Sequence, residues 1–361
     1  MGDAMDLEDR VSRRLKLSDL RMLLSVVQWG SMSKAAVHLN LSQSAVSKAL
    51  GELEHTLGVR LLDRTPQGIE PTVYGTALIN RATAIFDEVR QGVKDIGFLA
   101  DPTTGEVRVG CNEPIAAGLL AAIIERLGRQ YPRIQCHVLQ TPTVATLEYR
   151  ELRDRRVGLM LARIKEPFSD EELHADILYQ ERLYVVAGKR SKWAGRRKLG
   201  LADLLDEAWL LPPAGTLPRS LVEEAFHSRG LRVPRASVVS LSFNLYSSLL
   251  PTGRYLAAIP GTVLRYGALR SAVKVLAVEF PIQPTPIAIM TLKHRTLSPV
   301  ARLFIECASR LQSRWRKAVR RPTSEEPCFA ALQGSVDSPS LHQPHCQYRQ
   351  QSEVQRTSAR R

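Results

Sequence analysis

The chain has 361 residues, with 50 Lys and Arg against 36 Asp and Glu, for a formal net charge of +14. At 44% hydrophobic, 24% charged and 6% aromatic it has the composition of a soluble globular protein of two or three domains, and not of a collagen, a disulfide scaffold or a wholly disordered chain. The basic excess points to a polyanionic partner such as nucleic acid, without saying where on the chain that partner binds.

Residues 1–16 read as a polar arm. Ser18 is a good helix N-cap. Leu20, Leu23, Leu24 and Val27 follow at i, i+3, i+4 and i+7, the apolar stripe of a helix that Gly30 stops. Ser31 or Ser33 caps a short second helix with Ala35, Ala36 and Leu39 inward. After the turn Leu39-Asn40-Leu41, Ser42 caps a third helix. Its buried face is Val46, Ala49, Leu50 and Leu53, and its other face carries Gln43, Ser44, Ser47 and Lys48. This order predicts a helix-turn-helix over about 32–51, whose second helix enters the major groove by its N-terminal residues. Gln43 suits an adenine edge, Ser44 and Ser47 bases or phosphates, and Lys48 a phosphate or a guanine. Leu61–Arg64 and Ile69–Pro71 flank Thr65-Pro66-Gln67-Gly68 as a hairpin wing, which sets Arg64 and Gln67 near phosphates or the minor groove. Periodicity alone leaves a plain helical domain as an equal alternative.

The run GSMSKAAVHLNLSQSAVSKALGELEHTLGVRLLDRTPQGIEPTVYG resembles the winged helix-turn-helix of LysR-type transcriptional regulators. The matching pattern is G-S-x-S-x-A-A-x-x-L, then S-Q-x-A-V-S, L-E-x-x-L-G, an Arg before the wing, and P-T-x-x-G. Leu62 stands where the family often has Phe, and Pro71 replaces a commoner Leu; both are apolar packing positions. The resemblance implies phosphate contacts at Ser31 and Ser33, groove contacts at Ser42, Gln43, Ser44, Ser47 and Lys48, and wing contacts at Arg64, Thr65 and Gln67. Local capping explains any single serine at least as well, but it does not explain Gln43 or Lys48.

Thr72 caps a long helical pattern over 72–100, with Leu78, Ala82, Ile85, Val89, Gly92, Ile96 and Leu99 in alternating four-and-three spacing. So narrow a stripe calls for a partner helix, with packing on its own domain as the alternative, and a dimer through this linker would hold two recognition helices about one DNA turn apart. The resemblance implies the same dimer, tetramers built from it, and RNA polymerase as a further partner.

From Gly105 onward, short β-branched runs alternate with amphipathic helices, which argues for α/β. Strands are expected at Val107–Cys111, Gln135–Leu139, Gly158–Leu161, near 176–187, and at 255–259 and 287–291. Helices are expected from Asn112-Glu113-Pro114 to Tyr131, at about 143–154, 200–205 and 218–229, after Ser242, and from Ser298-Pro299 to about Arg316. This is similar to the LysR-type effector domain, two α/β lobes like those of periplasmic binding proteins with a small-molecule cleft between them; Gly158 stands where the family often has Asp. The reading is therefore a mainly α winged helix-turn-helix at 17–75, a linker helix at 72–100 and a two-lobed effector domain at 105–316. Lobe I takes 105–181 plus 284–316, lobe II takes 182–283, and residues 318–361 form a disordered tail. Ligands of such sheets sit at C-terminal strand ends against helix N-termini. That rule selects Asn112, Glu113, Thr143 and Arg163 from the first lobe, and Phe243 and Asn244 from the second, although surface capping or lobe packing explains any one of them alone better than ligand contact. The Arg163 fork suits a carboxylate or other anion, while Glu113 argues mildly the other way.

No H-E-x-x-H, G-x-S-x-G, Walker loop or dinucleotide fingerprint is present, so no enzyme and no cofactor are expected. The opening MGDAMDLEDRVSRR, with both charge signs and no apolar core, does not read as a signal peptide, and no apolar run approaches the roughly eighteen residues of a membrane span. Cys111, Cys136, Cys307, Cys328 and Cys346 contain no C-x-x-C pair, which favours reduced thiols in a cytoplasmic protein without a metal site. His342, His345 and Cys346 read as a solvated tail. A redox sensor of the same fold, using Cys111, is the alternative function. The charge is unevenly spread: residues 1–100 carry 12 basic and 12 acidic side chains, whereas 101–315 carry 30 and 20.

Overall fold

The computed structural model describes residues 14–66, 68–141, 149–165 and 167–319, the last eight of them as backbone. Gln67, Thr143, the tail from 320 (with Cys328, His342, His345 and Cys346) and most of the N-terminal arm lie outside the described residues. Residues up to Arg314 belong to one compact unit and Trp315–Arg361 to a second.

Three helices open the chain, α1 Leu17–Trp29, α2 Met32–Leu39 and α3 Gln43–Leu57. The N-cap of α1 is Lys16 rather than Ser18, because the Asp19 carboxylate accepts from the Lys16 N–H at 3.1 Å. Gly30 and Asn40, both with positive φ, end α1 and α2. Leu23, Val26, Ala35, Ala36, Val46, Leu50 and Leu53 form one buried cluster, so the two alanines do admit a close neighbour. Strands β1 Leu62–Thr65 and β2 Gly68–Pro71 pair antiparallel as the wing. The motif residues around them have structural work. Glu54 accepts from the N–H groups of Leu61 and Leu62 at 2.7 and 3.2 Å, which fixes where the wing begins. Thr72 donates to the Arg60 carbonyl and accepts from the Gly75 N–H, capping the next helix. A Cβ at Gly75 would lie 1.9 Å from the Leu61 carbonyl oxygen, so only glycine fits there.

Helix α4, Val73–Ala100, is 28 residues long. Its seam divides. Leu78 and Ala82 pack on the head or are buried, whereas Ile85, Val89, Ile96 and Leu99 are 39–76% exposed, with Val93 beside them at 65%. The opposite face is held to the α/β part: Asp87 is buried and paired with Arg155 at 2.8 Å and Arg295 at 2.7 Å.

Beyond α4 lie two five-stranded sheets. The first has the order β4-β3-β5-β12-β6, formed by β3 Thr104–Cys111, β4 Arg133–Gln140, β5 Leu159–Arg163, β6 Leu173–Glu181 and β12 Thr285–Leu292. The second has the order β11-β7-β10-β8-β9, formed by β7 Leu183–Gly188, β8 Ala208–Leu211, β9 Ala236–Val239, β10 Tyr255–Pro260 and β11 Val273–Val275. In each sheet three neighbouring strands run parallel and the returning strand is antiparallel. Helix α5 runs as Glu113–Ile115, a π turn Ala116–Leu120 and Ala121–Gln130. Further along come α6 Arg150–Arg153, α7 Leu217–His227, α8 Phe243–Leu249, α9 Gly261–Tyr266 and α10 Pro299–Val319.

The single strand signal near 176–187 resolves into β6 and β7, which belong to different sheets and meet at Arg182. Strands β8, β9 and β11 had no sequence signal, because runs of three or four residues give no readable period. The pattern at 200–205 is one 3-10 turn, Leu201–Leu204.

Candidate functional site

The face of α3 opposite its buried stripe is a continuous polar surface. Ser42 is the N-cap, accepting from the Ala45 N–H at 3.1 Å, and its hydroxyl lies 2.9 Å from that of Ser44. The capping explanation therefore applies to Ser42 directly. Ser31 is the N-cap position of α2 but makes no side-chain cap bond. Ser33 is exposed and donates to Gln43 Oε1 at 2.9 Å, tying α2 to the start of α3. This bond orients the Gln43 amide: Oε1 keeps one acceptor position, and among the described residues nothing takes the two Nε2 hydrogens, which suit a base edge. Ser47 is exposed, and Lys48 is 79% exposed, 3.9 Å from Glu52 one turn on. On the wing Arg64 is exposed, while Thr65 is half-buried and donates to the Gly68 carbonyl at 3.3 Å.

The second arrangement is a cavity of about 360 Å³ between the two sheets. Asn112, Glu113, Arg163 and Phe243 line it; Asn244 lies at its edge, where its N–H donates to Glu113 Oε1 at 3.2 Å across the lobes. Asn112 uses Oδ1 to cap α5, accepting from the Ile115 N–H at 3.2 Å. The lining also includes Gln140, Thr141, Glu181, Ser240, Tyr246 and Thr262, none of which sequence reasoning selected. Its apolar wall is Leu183, Leu217, Leu221, Val222 and Ile259.

The lining of this cavity carries two buried groups of opposite charge, Glu181 and Arg163. Glu181, 3% exposed at the end of β6, accepts from Thr262 Oγ1 at 2.6 Å, from Tyr179 Oη at 3.0 Å and from the Thr262 N–H at 3.3 Å. Burial pushes its carboxyl up, opposed by the Arg163 charge and the Thr262 and Tyr179 hydrogen bonds. Burial pulls the Arg163 guanidinium down, opposed by Glu181. With Glu181 already satisfied by other donors, Arg163 makes a single hydrogen bond among the described residues, to Thr285 Oγ1. Arg163 is itself part of the cavity lining. Glu181 sits between Gln180 and Arg182 within a single strand-like run, so no local pattern marks it as buried.

The thiols behave differently. Cys111 is fully buried, and burial pushes it up to about 11; Cys136 and Cys307 are raised by the same cause. Strand register sets Cys111 opposite Gln140 and Cys136 opposite Val107. Four residues of strand is about 13 Å, whereas a disulfide needs Cα atoms within about 7 Å.

Residues 17–76 match the family described as bacterial regulatory helix-turn-helix protein, lysR family, and residues 100–312 match the LysR substrate binding domain. The chain belongs to the LysR family of bacterial transcriptional regulators. LysR-family proteins are DNA-binding regulators, not enzymes. This LysR-family chain is 27% identical over 312 residues to the HTH-type transcriptional regulator GbpR of Azospirillum brasilense, covering 86% of this chain and 90% of that one. It is 25% identical over 303 residues to the uncharacterized HTH-type transcriptional regulator YdcI of Escherichia coli (strain K12), covering 83% and 97%. A full-length OxyR from Pseudomonas aeruginosa shares the LysR-family fold with a TM-score of 0.56 at 20% identity, over 82% of this chain and 97% of that one. Among the described residues, no helix is long and apolar enough to cross a membrane.

Proposed function

We propose that this regulator reads one operator sequence through α3 and the wing, and that a small molecule with an apolar body and an anionic head, bound between the lobes, controls it. The observation that carries the effector class is Arg163: a guanidinium withdrawn from water, lining the cavity, with most of its donors unspent. A buried charge of that kind is completed best by a carboxylate in the fork geometry. Glu113 and its bond to Asn244 span the mouth, so a ligand that rearranges this contact favours one lobe arrangement over another, as an effector must. The exposed Ile85, Val89, Val93, Ile96 and Leu99 on α4 support dimerisation through that helix. The buried, raised thiol of Cys111 and its distance from Cys136 weigh against redox sensing.

Selection of bound duplexes from a random pool, using the full chain, tests the DNA part. One enriched motif is expected, and Gln43→Ala is expected to lose preference at one adenine position by about 1–3 kcal/mol. Enrichment of no motif, or one unaltered by Gln43→Ala, removes α3 from base readout. A thermal-shift series of small carboxylates tests the effector part.

A further inference from the structure

A second concavity lies away from the cleft, where the linker helix meets the first sheet. This recess, of about 110 Å³, is bounded by α4, β3, the turn at 155–158 and the segment 295–298 that opens α10. Arg90, Lys94, Arg108, Arg155, Arg156 and Arg295 contribute six cations to its lining; Asp87 and Glu106 are its two carboxylates. Asp87 takes Arg155, Arg295 and, at 3.5 Å, Arg90. Glu106 takes Lys94 at 3.1 Å and Arg108 at 3.6 Å. Arg156 reaches Glu151 at the rim, 3.4 Å away. The lining is left with four positive charges in excess of its own carboxylates.

Charge of that sign at a surface is ordinary, but three features make this a formed site. Arg155 and Arg295, with side chains 14% and 6% exposed, are locked by Asp87 and hold fixed positions at the back of the recess. Gln91 also lines it, is 5% exposed, and has no hydrogen-bond partner among the described residues. Its amide atoms are not sealed from solvent, so they open to the recess and can meet a ligand there. The first turn of α10, from Ser298, forms the remaining wall and adds the favourable end of a helix dipole. The volume holds a five-heavy-atom oxyanion, given that one water needs about 15 Å³.

We propose that this recess is a second ligand site, for a tetrahedral oxyanion of the phosphate class, free or as the phosphoryl group of a small metabolite. The anion is gripped by Arg90 and Lys94 from the linker helix and by Arg108 and Arg156 from the effector domain. Gln91 supplies a neutral donor between them. Because the two sides belong to different parts of the chain, occupancy ties the linker helix to lobe I.

The test is thermal unfolding of the full chain titrated with inorganic phosphate at constant ionic strength, with chloride as reference and glycerol phosphate in a parallel arm. A ligand of the folded state raises the melting temperature saturably. Saturation by phosphate, or by the ester alone, supports the site and tells which form it takes. Arg90→Gln combined with Arg156→Gln, both at exposed side chains, is expected to weaken half-saturation at least tenfold. Gln91→Leu, which alters no charge, is expected to weaken it several-fold, and Arg163→Gln in the cleft to leave it unchanged. A shift no larger than chloride gives overturns the proposal, as does a saturable shift that Arg163→Gln removes and the double variant retains. Loss of DNA affinity in the double variant, with no saturable shift in the parent, reassigns these cations to DNA and also overturns it.

Discussion

The reading face of α3 and the interlobe cleft use the same residue types in opposite surroundings. On α3 the polar side chains stand in water; Lys48 and Glu52, 3.9 Å apart with side chains 79% and 70% exposed, form a pair of the kind that contributes little to stability. In the cleft and at the linker joint two carboxylates, Glu181 and Asp87, are removed from water, and each is held there by several partners. Glu181 takes three hydrogen bonds, and Asp87 takes the two buried arginines Arg155 and Arg295 as well as Arg90. Side chains of the head are thus free to be judged by what they contact in DNA. Those of the body hold the structure together before they bind anything, so the two regions differ in what a substitution there reports.

The sharpest way to break that contrast is Asp87→Ala. It leaves Arg155 and Arg295 buried without their counter-charge, and is expected to cost about 3–5 kcal/mol of stability in chemical denaturation. Burial raises the Asp87 carboxyl, but the Arg155 hydrogen bond and the Arg295 charge outweigh it and hold the carboxyl below its ordinary value. A folded value below the unfolded one gives stability that is complete above the ordinary aspartate range and is lost as pH falls through the folded value. Asp87→Asn is accordingly expected to flatten the acid side of the stability profile. A variant as stable as the parent, with an unchanged acid limb, shows the joint to be no stronger than the exposed pair on α3. Next in size, Arg163→Ala is expected to weaken a carboxylate effector roughly 10–100-fold, the range for a hydrogen bond to a charged group, while operator affinity without effector stays within twofold. Effector titrations monitored by tryptophan fluorescence measure it, and intact binding removes Arg163 from the site.

How much of this was legible in the sequence follows the same division. The head's candidate residues lie within a stretch of about 40 residues, on elements whose period of 3.6 and turn chemistry are local properties, so Gln43, Ser44, Ser47 and Lys48 fall on one face by spacing alone. The cleft is assembled from strand ends between 111 and 262, and strand order is a long-range property. The strand-end rule found Asn112, Glu113 and Arg163 because each directly follows or ends a readable strand. It missed Glu181 and Thr262: the lobe boundary at 181/182 is legible, but β6 and β7 on either side of it give one continuous strand signal that hides the strand end, and helix α9 gives none. The π turn was equally hidden: Gly118 sits where a Cβ would lie 3.0 Å from the Val263 nitrogen in the other lobe, a contact no local pattern encodes. Ser18 shows the converse error, a good cap residue displaced because Asp19 one position on reaches back to Lys16.

The smallest expected effect is also the one that isolates the head. Lys48→Ala removes one exposed cation whose partner, Glu52, is itself exposed, so the melting temperature is expected to stay unchanged. If Lys48 contacts a phosphate, the variant binds every sequence more weakly by a similar factor, and the slope of log affinity against log salt becomes shallower by about one unit. If it reads a guanine instead, the slope barely moves and the loss is concentrated at one position of the operator. A salt series on the selected duplex and on a scrambled one separates the two. An unchanged slope together with unchanged sequence preference removes Lys48 from the interface altogether, leaving its ammonium to Glu52 and solvent. Either positive result keeps the division between the regions intact, because it changes DNA binding while the fold, and the cleft with it, stays as it was.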